Sequence, residues 1–229
     1  MNKDNVIYSA HRFLREQKEF LLHGTIPVQV ANPLPEEVNI RKVIGAVEAA
    51  VPASIMRGVE MIIVGHFEEF DKREVNAAYD SGTIYVTNKQ DGEMDMIDDI
   101  VHEIAHSVES WAGMDIYGDG EVVEEFKVKR KQYYDLLTQL GHEVDLKQFM
   151  DVEYSQEFDN LLYKEVGYEK LNTLSIGILP SCYGLTSIKE YFATGFEEYF
   201  IGNRREIADL CPVLTSKIES VVEETDSEI

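Results

Sequence analysis

The residues His102-Glu103-Ile104-Ala105-His106 carry the densest chemistry in the chain. Two histidines four residues apart lie on one face of a helix, a turn from each other, so both imidazoles can reach one tetrahedral Zn²⁺. Glu103 stands beside them, off the ligand line, where its carboxylate can hold a water and take its proton. Zinc lowers the pKa of such a water towards ~7, within reach of a carboxylate base. The chemistry on offer is metal-assisted hydrolysis. The plain alternative is a surface helix with two solvated histidines.

The flanking residues predict the helix that this chemistry needs. At about 100° per residue, Ile97, Ile100, Val101, Ile104, Val108 and Trp111 fall on one stripe, with His102, Glu103 and His106 opposite. One face is expected to be buried and the other to present the functional side chains, with Gly113 as the stop. H-E-x-x-H is the pattern of a zinc-dependent peptidase.

Zinc at a catalytic centre needs a third protein ligand and an open position. A metzincin-type extension would place glycine and histidine at positions 109 and 112, where this chain has Glu109 and Ala112. That class is excluded. His11, His23, His66 and His142 each stand alone in charged or loop contexts and read as surface residues. The segment Tyr183 to Phe200 is the better source. Thr186 or Ser187 can cap a helix there, with Glu190 completing a capping box. Ile188, Tyr191, Phe192, Phe196 and Phe200 form its apolar side, and Gly202-Asn203 ends it. Glu190 and Glu197 share a helical line that can turn a carboxylate inward. Alternatively, Glu190 is only a cap.

Taken together, H-E-x-x-H and Tyr183-Gly184, followed by Glu190-Tyr191-Phe192-Ala193, resemble the catalytic domain of the anthrax lethal factor family, which includes the clostridial Pro-Pro endopeptidases. The resemblance implies a zincin-like metalloprotease, a hydrolase of protein or peptide substrates. His102, His106 and Glu190 would be its zinc ligands, and Glu103 its general base. Tyr183 would aim its hydroxyl at the water or the scissile carbonyl, unless it is plain core packing. Two departures stand out. Thr194 replaces the family's usual Glu, which would weaken support for a zinc-binding histidine. The interval between His106 and Glu190 is also long, so residues 114–178 are expected to form a helical insertion within a single catalytic domain spanning residues 1–229. The rival reading is a catalytically idle binding or assembly protein that keeps the metalloprotease fold. Intact Glu103 and Tyr183 argue against it, because a structural zinc needs neither.

The expected fold class is α+β, mostly helical with a small sheet. Val6 to Leu22 and Glu36 to Val51 read as helices around an irregular, proline-bearing connector, Thr25 to Pro35. Glu60 to Gly65 and Thr83 to Thr87 read as strands. That order, helix, strand, strand and then the histidine helix, suits a zincin. Such enzymes bind substrate along an exposed strand, here Gly82 to Thr87, unless it is an ordinary hairpin strand. Glu121 to Leu140 reads as a charged helix whose Lys127, Lys129, Arg130 and Lys131 form a solvated face. Leu146 to Thr173 is mostly helical, and the acidic end from Glu219 is expected to fray.

With 229 residues, 44% of them hydrophobic, the chain can build a sizeable core. Its net charge of −22 makes nucleic acid and anionic membrane poor partners. No apolar run approaches the ~20 residues of a membrane span, and the N-terminus lacks a signal-peptide pattern. The expected location is the cytoplasm or a particle, with non-classical export the other route. Cys182 and Cys211 can be reduced thiols or one disulfide.

Overall fold

The computed structural model describes residues 18–227. It divides into two compact units, the division falling between Ile104 and Ala105.

The first unit holds a mixed sheet of β1 (Lys18–Leu22), β2 (Ile26–Val30), β3 (Met61–Gly65), β4 (Ala77–Asp80) and β5 (Thr83–Thr87), in the order β1-β2-β3-β5-β4. The central strands β2, β3 and β5 are parallel, and β1 and β4 pair antiparallel at the two sides. Helix α1 (Ile40–Ala50) starts where the Asn39 side chain accepts from Arg41 N, and it buries Ile40, Val43, Ile44 and Val47. A short α2 (Glu68–Arg73) follows β3. Ser81 and Gly82, at φ 48° and 88°, close the β4–β5 hairpin in the left-handed backbone that a two-residue loop demands.

From there the described chain is helical. The long α3 (Glu93–Tyr117) carries the histidines across the division. The second unit adds α4 (Glu121–Gln139), α5 (Leu146–Met150), α6 (Gln156–Asn160) and α7 (Tyr168–Ser175). After a 3₁₀ turn at Cys182–Leu185 come α8 (Ile188–Phe200), α9 (Arg204–Leu210) and α10 (Pro212–Ser227). The α+β, mostly helical expectation holds. The 114–178 segment packs into this unit, with α4 lying against α8 and α10.

Several expectations fail, each for a physical reason. Lys18–Leu22 is a strand, and the rest of the expected first helix lies outside the described residues. Phe20 and Leu22 are buried with Leu21 exposed between them, a period of two. The connector contains β2, because its ladder to β3 begins at Val28, just past Pro27. Strand β5 is interior, hydrogen-bonded to β3 on one side and β4 on the other, so it has no free edge for substrate. Helix α3 runs on past Gly113. A mid-helix glycine costs about 1 kcal/mol, while burying Ile116 a turn later returns about 1.5–3. Helix α10 extends to Ser227, with Val221 and Thr225 buried. The Thr225 hydroxyl donates to the carbonyls of Val221 and Val222, which lets a polar residue sit inside.

The basic patch of α4 is not a solvated face. Lys129 is buried, its Nζ donating to the carbonyls of Ile178 (2.9 Å) and Leu210 (2.7 Å). Arg130 is wholly buried between the rings of Phe126 and Phe158. Its guanidinium donates to the carbonyls of Leu185 (2.7 and 2.9 Å), Thr186 (2.8 Å), Gln148 (3.2 Å) and Asp151. Burial lowers its pKa to about 10, against the opposing charge of Asp151. Both cysteines are buried and free, so the disulfide alternative falls.

Candidate metal centre

Between Val101 and Val108, α3 is buried at every position except His102 and His106, which are half-buried. The helix is therefore apolar around most of its girth, and Glu103, expected on the open side, is only 6% exposed. Trp111, expected in the stripe, is half-buried. One turn before the histidines, burial raises the Asp99 carboxyl to about 6, opposed by a 2.7 Å hydrogen bond from Gln90 Nε2.

In the second unit, α8 begins at Ser187, whose hydroxyl accepts from Glu190 N, as the capping pattern predicts. The Glu190 side chain, however, reaches the histidine helix. Its Oε2 lies 3.8 Å from His106 Nε2. His102 stands one turn earlier on the same unbroken helix, and ligand atoms of His102, His106 and Glu190 all lie within 4.8 Å of one another. Tetrahedral zinc with bonds near 2.0–2.1 Å holds its ligand atoms about 3.3 Å apart, so small side-chain movements would complete the set. Two imidazoles and one carboxylate are the donors that zinc accepts at a catalytic centre. The residues fit the ion.

Sequence reasoning missed what lies behind His106. Its Nδ1 is 2.8 Å from Glu109 Oε2, and the other oxygen of Glu109 accepts a hydrogen bond from the Tyr117 hydroxyl. The Glu109 side chain is 8% exposed. Burial, then the Glu109 charge, pushes Tyr117 ionisation far above the usual tyrosine range. A carboxylate only accepts, so Nδ1 carries a proton, and in the neutral ring Nε2 is the nitrogen left to ligate a metal. Nε2 faces Glu190 Oε2 at 3.8 Å, a gap that a ring proton or a metal ion would bridge. The signal lies at i+3 from His106, where Glu109 stands in the sequence as a departure from the metzincin pattern. Thr194 donates to the Glu190 carbonyl at 2.8 Å and so serves its own helix.

Tyr183 lies in the 3₁₀ turn before α8 and is 42% exposed, which removes the core-packing alternative. Gly184 brings this turn against α8. A Cβ there would stand 2.5 Å from Thr194 Oγ1 and 3.5 Å from Tyr191 Cα. Arg130 pins the same turn through the carbonyls of Leu185 and Thr186. Of the other histidines, His23 Nε2 pairs with the Val51 carbonyl at 2.9 Å, His66 lies 3.7 Å from Asp71, and His142 contacts Lys170. His11 lies outside the described residues. Among the described helices, none is long and apolar enough to cross a membrane.

The chain matches no protein-family model, no curated protein and no solved structure among those compared with it.

Proposed function

We propose that this chain is a zinc-dependent peptidase of the lethal factor kind. The observation that carries the reading is the cluster itself: ligand atoms of His102, His106 and Glu190 lie within 4.8 Å of one another, and His106 Nδ1 is 2.8 Å from Glu109 Oε2. His102, His106 and Glu190 would hold the ion. Bound there, zinc would supply a Lewis acid that acidifies a water and polarises the scissile carbonyl.

The remaining work belongs to the chain itself. Glu103, shielded from bulk solvent, accepts the proton of the attacking water and delivers it to the departing amine. Tyr183, exposed on a turn that Arg130 and Gly184 hold, donates its hydroxyl to the oxygen that gains charge in the transition state. An extended peptide is the substrate class.

Metal analysis together with cleavage of a peptide library tests the proposal. Purified protein is expected to carry one zinc per chain, and His102→Ala and His106→Ala should each lose it. Glu103→Gln should keep zinc and fold while hydrolysis drops by at least ~10²–10⁴-fold. Stoichiometric zinc in both histidine variants would sink the ligand assignment. Zinc binding with no cleavage of any library member would leave the binding-protein reading in its place.

A further inference from the structure

Resting on the metal-centre reading above, we propose that Glu109, itself held by Tyr117, is the positioning residue that sets His106 for metal binding.

Neutral imidazole carries its proton on either nitrogen, and only the unprotonated one can ligate a metal. At His106 the choice is imposed by Glu109, whose Oε2 accepts from Nδ1 at 2.8 Å. Glu109 would be free to turn away were its second oxygen not engaged by Tyr117. All three residues stand on α3, at i, i+3 and i+11 from His106. The last turn of that helix, the one past Gly113, therefore has a purpose beyond burying Ile116: it carries Tyr117 back over Glu109. The Tyr117 ring also packs edge-on against Phe192 of α8, with centroids 6.3 Å apart, which ties the hydroxyl's position to the helix that bears Glu190. A carboxylate behind a ligating histidine fixes its ring and raises its basicity. In this chain that carboxylate comes from the histidine helix itself, whereas the corresponding position on α8 is Thr194, whose hydroxyl is engaged by its own backbone.

The test exploits the fact that a glutamine has one acceptor where a glutamate has two. In Glu109→Gln the single carbonyl oxygen stays with the Tyr117 hydroxyl, so the amide presents N–H to His106 and drives the ring proton to Nε2. Zinc affinity, read by competition with a chelator, should fall roughly 10–100-fold. Ring ¹⁵N spectra of the metal-free protein at mildly alkaline pH should show the Nδ1–H tautomer in wild type and Nε2–H in the variant. Adding Tyr117→Phe frees the glutamine to turn its oxygen to Nδ1–H, so the double variant should bind zinc more tightly than Glu109→Gln alone. A purely structural role for the pair predicts the opposite order. Equal zinc affinity in wild type and Glu109→Gln, or an unchanged tautomer, overturns the proposal. Should Glu109→Gln fail to fold, Tyr117→Phe alone carries the test: several-fold weaker zinc binding is expected, and unchanged affinity overturns it. If wild type takes up no zinc at all, the metal-centre reading fails first, and the wild-type titration tells the two failures apart.

Discussion

Two side chains decide the chemistry proposed for α8 and the turn before it, and each can be probed by removing a few atoms. A hydroxyl that donates to a developing oxyanion acts in the transition state and hardly at all in the ground state. Tyr183→Phe should therefore lower kcat by roughly 10–10³-fold. KM, zinc content and melting temperature should stay where they are, because the ring is 42% exposed and contributes little to the core. Loss of stability with unchanged kcat would remove Tyr183 from the mechanism. On the neighbouring helix, Glu190 and Glu197 lie two turns apart, but only Glu190 is brought beside His106. Glu190→Ala should abolish tight zinc binding in a chelator titration, while Glu197→Ala should change it only slightly. The reverse ranking would show that the wrong carboxylate was chosen.

At the scale of elements, the second unit is organised by buried charge as much as by apolar packing. Glu125 of α4 accepts from Val213 N (2.9 Å) and Leu214 N (3.1 Å), capping α10, and from the Tyr191 hydroxyl of α8 (2.8 Å). Arg130, one and a half turns further along α4, gathers the carbonyls of Leu185 and Thr186, just before α8, and those of Gln148 and Asp151. Next to Asp151, the Val152 carbonyl also accepts from Ile188 N at 2.8 Å. Arg130→Met keeps most of the volume and strands several buried carbonyls, each worth about 1–3 kcal/mol when left without a donor. The variant should lose about 3 kcal/mol or more in a denaturant titration. Its turn at Cys182–Leu185 should exchange amide protons faster than wild type. A loss within 0.5 kcal/mol would mean that water replaces the guanidinium, and that Arg130 does not hold the turn.

Over the whole molecule, the buried phenols set an alkaline limit. Burial raises Tyr133 and Tyr168 to about 12, and it pushes Tyr117 and Tyr191 higher still. In the unfolded chain these groups ionise near the ordinary value of about 10. The folded state holds their protons longer, so their contribution to stability is whole below pH ~10 and is lost as pH rises through about 12. Helical circular dichroism and phenolate absorbance should then change together in one late, cooperative step. Ionisation of every tyrosine near pH 10 with helix content intact would contradict this burial pattern.

What the sequence determined by itself is the part of the site built from near neighbours. His102 and His106 meet because the helical repeat brings i and i+4 together, and Ser187 caps α8 because a cap is read within three residues. The mostly helical α+β class, the strands β3 and β5, and the end of α8 near Gly202 were legible for the same reason. Glu190 was legible as a candidate, but its meeting with His106 spans most of the second unit. Glu109 stood in view at i+3 and still had no readable role, since nothing local says which nitrogen of His106 it will hold. Arg130 looked like one cation among four on a charged helix. Its burial is a property of Leu185, Thr186 and Asp151, which reach it only when the unit closes. Strand β5 read as a half-exposed strand, and only pairing with β3 and β4 made it interior. Propensity and periodicity act over one or two turns, whereas burial, strand order and the second acceptor of a carboxylate are fixed by segments that meet across the fold.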